Sequence, residues 1–139
     1  RRGDRACREQ CAELMDFVGC GQYLNHHASA MPYGALKRLE IARALASEPD
    51  ILLLDEPAAG LNRTETDALR DVIRKIADKG ITVVLVEHDM KLVMSVSDQV
   101  LVLCYGRKLA DGTPEQIRAN PDVIDAYLGS RKPEEEATV

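Results

Sequence analysis

The sequence predicts an α/β domain with a mostly parallel sheet, and three observations predict it. Short apolar runs at Ile51–Asp55 and Ile81–Val86 read as strands, each followed by charged residues. Amphipathic runs of helical period lie before and between them. Strands that alternate with helices of about a dozen residues favour parallel crossover units over hairpins. The 139 residues fit one domain by length and suffice to bury a core.

The elements follow in order. Residues 6–18 read as a helix, with Cys7, Cys11, Leu14, Met15 and Val18 on one apolar stripe and Gly19 and Gly21 ending it. Tyr23 to Met31 reads as a short helix and loop. Gly34 to about Ser47 is helical, with Leu36, Leu39, Ala42 and Leu45 or Ala46 facing inward, and Glu48-Pro49-Asp50 stops it. The strand 51–55 follows and reads as buried. Residues 58–63 form a loop, and Thr64-Glu65-Thr66-Asp67 opens a helix with a cap and N-terminal acids. Leu69, Val72, Ile73 and Ile76 form its buried face, and Lys79-Gly80 its stop. The unbroken run Ile81–Val86 suits a strand covered on both faces. A short helix through Leu92, Val93 and Val96 leads to a third strand, Val100–Cys104. Tyr105-Gly106-Arg107 turns into a hairpin. Thr113 caps a helix with Pro114 at its first position, and Pro121–Leu128 forms the last helix. The tail from Arg131 is charged and reads as loose.

Composition narrows the function. The 45% apolar and 29% charged content is ordinary for a globular protein. A net charge of −5 argues against a nucleic-acid-binding face, whose footprint is basic. No apolar run approaches the roughly 18–20 residues of a membrane span. The basic start Arg1-Arg2-Gly3-Asp4-Arg5 is followed by no apolar signal-peptide core. Cytoplasm is the default compartment, and membrane contact comes through a partner. The cysteines are Cys7, Cys11, Cys20 and Cys104. Joined with His26 or His27, the first three match no zinc spacing, so the thiols read as packing residues in a reducing compartment. The Arg2-Gly3-Asp4 tripeptide is short enough to be chance.

Asp55 and Glu56 carry the first chemical signal. Ligands of open parallel sheets sit beyond the carboxyl ends of the strands. Consecutive side chains diverge there, so one acid can face a metal held on phosphates and the other a water aimed at phosphorus. Gly34 opens a helix whose free N–H groups and positive dipole end suit an anion. His88, just past the strand 81–86, can donate to a phosphate and a reacting water. Taken alone, the acids could be solvated, Gly34 a turn residue and His88 a loop residue.

Taken together these segments resemble the ABC ATPase family. Ile51–Pro57 resembles its Walker B strand, Met31-Pro32-Tyr33-Gly34-Ala35 its Leu-Ser-Gly-Gly-Gln signature, and His88 its switch histidine. Ala58-Ala59-Gly60-Leu61-Asn62 occupies the place of its D-loop, with Asn62 where Asp is usual. Of the signature core only Gly34 survives, and Leu36 replaces a usual Gln. Leu39–Leu45, Asp55–Asn62, Glu87–Met94, Gly112–Arg118 and Asn120–Gly129 look like the branch that serves the high-affinity branched-chain amino acid importer. The lipopolysaccharide-exporter ATPase shares much of this wording. A DNA-maintenance ATPase would need a coiled-coil insert and basic surfaces.

The resemblance implies a partial P-loop NTPase fold lacking the Walker A half, since no GxxxxGK[ST] occurs in these residues. It implies ATP and Mg2+ as cofactors. Glu56 and His88 would be catalytic, and Asp55 would hold Mg2+ through water. Tyr33, Gly34 and Ala35, with Gly60 and Asn62, would face the ATP of a second ATPase subunit in a head-to-tail dimer. Transmembrane permease subunits would hold the pair at the membrane. The chain then reads as a carboxy-terminal fragment, unable to bind ATP tightly alone. A non-catalytic remnant or interaction module is the other reading. Residues 1–47 would be a remnant of the helical subdomain, 48–112 half of the ATPase core, 113–130 carboxy-terminal helices and 131–139 tail. Without a P-loop strand, Val83, Leu85, Val100 and Val102 are expected to expose apolar surface, making the chain marginal or prone to aggregate.

Overall fold

The computed structural model of the protein describes residues 2–128; the charged tail from Arg131 lies outside them. The chain divides into two compact units, one running to Val96 and the other from Ser97.

The first unit begins with helix α1 (Arg2–Phe17), whose first turn contains the Arg2-Gly3-Asp4 run. Its carboxyl end is buried through Met15 and Val18, whereas Cys7 and Cys11 are exposed. The apolar stripe therefore does not extend back to these two thiols, and the packing role expected of them is corrected. Of this trio only Cys20 is buried; its thiol lies 3.5 Å from the Ala35 carbonyl. Burial raises its pKa, partly opposed by the Arg38 charge.

Two 3₁₀ turns, Gly21–Tyr23 and Ala28–Ala30, lead to helix α2 (Tyr33–Leu45). Its buried residues are Gly34, Ala35, Ile41, Ala42 and Leu45. Leu36 and Leu39 are only half-buried, because the core-facing stripe is rotated toward Ile41. Arg38 donates to the Val18 and Gly19 carbonyls and so ties α2 to the end of α1.

Strand β1 (Ile51–Asp55) pairs in parallel with β2 (Thr82–Val86), Leu53 opposite Val84 and Asp55 opposite Val86. Helix α3 (Arg63–Asp78) crosses between them and buries Leu69, Val72, Ile73 and Ile76, the four residues its periodicity marks. Its cap is Asn62, not Thr64. The Asn62 side chain accepts from the Glu65 N–H, and the Glu65 carboxylate accepts from the Asn62 N–H. Lys79 and Gly80, the latter at φ +87°, stop the helix. Lys75 and Lys79 both sit over the Phe17 ring, at 4.6 and 4.3 Å, which fastens α3 to α1. Helix α4 (Met90–Val96) closes the unit, with Asp89 accepting from the Lys91 and Leu92 N–H groups at its start.

The strands correct the sequence reading. Leu52 and Leu54 of β1 are buried, but Ile51 and Leu53 are exposed. In β2, Val83 and Leu85 are half-buried against the core while Val84 and Val86 are exposed. Each strand is thus covered on one face, not both.

In the second unit, β3 (Val100–Cys104) and β4 (Arg107–Gly112) form an antiparallel hairpin with an irregularity at Val102/Leu103. Val100, Val102 and Ala110 are buried, whereas Leu101 and Leu103 are exposed. On β2 and β3 the exposed apolar side chains are Val84, Val86, Leu101 and Leu103. The expected set (Val83, Leu85, Val100 and Val102) points inward, one residue out of phase on both strands. Helix α5 (Pro114–Arg118) carries the expected cap at Thr113, completed by Gln116 as a capping box. The final expected helix is shorter, α6 (Pro121–Val123), and continues as a π-helical turn, Ile124–Leu128. Ile117 and Val123 are almost wholly buried.

Candidate functional site

The parallel pair β1–β2 delivers two loops to the same edge of the sheet. Asp55 is the last residue of β1, and the Glu56 N–H continues the ladder by donating to the Val86 carbonyl at 2.8 Å. Glu56 then adopts φ +43°, the left-handed conformation uncommon outside glycine. That turn lifts its side chain off the strand. His88, two residues past β2, lies with Nδ1 3.6 Å from Glu56 Oε1. Both side chains are mostly exposed, 54% for Glu56 and 72% for His88, so the pair opens outward and can meet a ligand.

One residue that the sequence reading did not single out underlies this pair. The Glu87 side chain is only 1% exposed. Its Oε1 accepts from the Ala58 N–H at 2.9 Å, and its Oε2 from the His88 and Asp89 N–H groups at 3.1 and 3.4 Å. Alternation along β2 hints that Glu87 points inward, opposite Val86 and His88, but the carboxylate's partners come from another loop, which no local pattern shows.

The second cluster surrounds the start of α2. Pro32 offers no side-chain cap, so the N–H groups of the first turn, Tyr33 to Ala35, point out of the helix end. The Tyr33 hydroxyl donates to the Ala59 carbonyl at 3.3 Å, and its ring lies against Gly60, which has φ +77°. A Cβ on Gly34 would stand 2.8 Å from the Glu65 carboxylate group. Tyr33, Gly34, Gly60 and the Asn62–Glu65 capping box are therefore one cluster. The turn 57–60 links it to the acid–imidazole pair: Ala59 touches Tyr33, and Ala58 is held by Glu87 beside His88.

Three comparisons with known proteins place the chain in a family. Residues 3–59 match the family model described as ABC transporter, and residues 107–133 match the one described as branched-chain amino acid ATP-binding cassette transporter. The chain is 53% identical, over 93% of its length, to BraF, the high-affinity branched-chain amino acid transport ATP-binding protein of Pseudomonas aeruginosa. This chain belongs to the ABC transporter ATPase family. The corresponding Escherichia coli protein, LivG, is 48% identical over the same share. Among solved structures, the ADP conformation of MJ1267, an ATP-binding cassette of an ABC transporter, superposes with a TM-score of 0.78 at 25% identity, over 88% of this chain and 50% of that one. The chain spans about half the length of the curated relatives it matches, 51% of BraF and of LivG. The α/β class expected from the strand and helix order, and the partial P-loop NTPase fold implied by the resemblance, agree with the fold of these neighbours.

The family binds nucleotide, and the residues present fit that group in part. A Mg2+ ion bound on phosphates needs only one or two protein carboxylates, and Asp55 at the strand end can supply one. Among the described residues no group of three or more His, Cys, Asp or Glu side chains could hold a metal alone. A phosphate cradle of the GxxxxGK[ST] kind is not among the 139 residues. No helix among the described residues is long and apolar enough to cross a membrane.

Proposed function

We propose that the chain acts in an ATP-hydrolysing subunit of an ABC importer for branched-chain amino acids, supplying the hydrolytic pair and the surface that meets a second ATPase subunit. The observation that carries this reading is the Glu56–His88 contact of 3.6 Å at the ends of paired parallel strands, in a chain 53% identical to a branched-chain amino acid transport ATP-binding protein. ATP and Mg2+ are the cofactors. Glu56 orients and deprotonates the attacking water, and His88 holds that water and the terminal phosphate by hydrogen bonds. Asp55 faces the Mg2+ through water. Tyr33, Gly34, Ala35, Gly60 and Asn62 face the nucleotide of the partner subunit in a head-to-tail dimer. Transmembrane permease subunits place the assembly at the cytoplasmic side of the membrane. Residues 1–47 serve the helical subdomain, 48–112 the ATPase core and 113–130 the carboxy-terminal helices.

The test uses the chain alone and together with the half of BraF that it does not span. Titration calorimetry of the chain alone with Mg-ATP should show no micromolar binding. Co-expressed with the complementary half, it should hydrolyse ATP, and Glu56→Gln should reduce the rate by about 100-fold or more, the scale of a lost general base. Micromolar affinity in the chain alone, or hydrolysis indifferent to Glu56→Gln, would overturn the proposal.

A further inference from the structure

The geometry points to Glu87 as a positioning residue that fixes the loop after β1 and the loop after β2 to one another and thereby sets the Glu56–His88 pair. This rests on the reading of that pair as the hydrolytic one. A buried carboxylate is costly unless its lone pairs are satisfied. The Glu87 side chain is 1% exposed, and the N–H donors to its carboxylate are divided between the two loops. Oε1 faces the Ala58 N–H, in the loop that also contacts Tyr33. Oε2 faces the His88 and Asp89 N–H groups. Backbone donors hold the carboxylate, so the carboxylate holds the backbone. Charge-assisted bonds of this kind are stronger than neutral ones. Glu56 sits two residues before Ala58, across Pro57, and His88 follows Glu87 directly. Beyond the last ladder bond, from the Glu56 N–H to the Val86 carbonyl, the Glu87 side chain thus joins the two loops. The His88 imidazole is mostly exposed, and its place follows from its anchored N–H and from Glu87 Oε2, 4.0 Å from its Nδ1.

The two oxygens give the test its discrimination. In Glu87→Gln the amide keeps one acceptor and turns two N–H donors toward the other loop. It can satisfy the Ala58 side or the His88–Asp89 side, but not both. Glu87→Ala satisfies neither. Amide hydrogen exchange on the whole chain should therefore show protection lost by about tenfold or more on one side only in Glu87→Gln, and on both in Glu87→Ala. The proton cross-relaxation signal between the Glu56 side chain and the His88 ring should weaken in both variants, while amides of α3 such as Leu69 and Val72 keep their protection. A role confined to fold stability would lower protection throughout and leave that signal in place. Should Glu87→Ala fail to fold, Glu87→Gln still decides. Parent-level exchange at Ala58, His88 and Asp89 with an unchanged Glu56–His88 signal would overturn the inference. None of these readouts requires nucleotide, so a failure of the hydrolysis test leaves the positioning result standing and the two outcomes separable.

Discussion

At the residue scale, two positions show backbone and side chain trading roles. Glu56 occupies a left-handed conformation that costs a non-glycine residue about 1–2 kcal/mol. The cost is met because its N–H remains in the ladder with Val86 and its side chain is aimed at His88. Gly34 is different: its φ is ordinary, and it is glycine because Glu65 occupies the space of a Cβ. That gives a prediction with a sign change. Gly34→Ala should displace the Glu65 carboxylate from the Asn62 N–H and destabilise the first unit by about 1 kcal/mol. In a Glu65→Ala background the same substitution should be neutral or stabilising, by up to about 1 kcal/mol of helix propensity. Urea unfolding of the four variants in dilute solution measures the cycle, and additive effects would show that the two residues do not compete for space.

At the element scale, α3 was legible and its boundary was not. The 3.6-residue period of Leu69, Val72, Ile73 and Ile76 leaves one face to bury, and all four are buried. The cap was misplaced because Asn62 and Thr64 are both good caps by type, and only backbone geometry chooses between them. Asn62 has extended φ and ψ, and its side chain reaches the Glu65 N–H. Asn62→Ala should therefore cost about 1 kcal/mol, whereas Thr64→Ala, inside the first turn, should be near neutral. Amide exchange at Glu65 and Thr66 would register the difference, and equal effects would return the cap to Thr64. In α2 Ala42 and Leu45 are buried as expected and Leu36 and Leu39 pack against the core half-exposed, while Ile41, also buried, lies outside the expected set.

At the scale of the whole molecule, each sheet among the described residues has two strands, and each of these strands has one unpaired edge. Ile51, Leu53, Val84 and Val86 stand exposed on the first sheet, and Leu101 and Leu103 on the second. Contiguous apolar surface and free strand edges promote association. The isolated chain should self-associate as its concentration rises, and heating should end in aggregation. Light scattering and calorimetry check this. A monomeric sample with one reversible transition in the ordinary range of about 45–65 °C would show that the exposed faces are harmless.

The sequence alone determined the order and type of the elements, the acids at the end of β1, the imidazole after β2 and the family. Those features are local: periodicity and short spaced motifs are written in neighbouring residues. Only tertiary structure decided which strand face is covered. Val83 and Val84 are chemically identical, and the choice between them depends on what packs above the sheet. It also decided that Gly34 makes room for Glu65, and that Glu87, unremarkable between Val86 and His88, receives three backbone donors from two loops. A contact between residues distant in the chain has no local period to betray it.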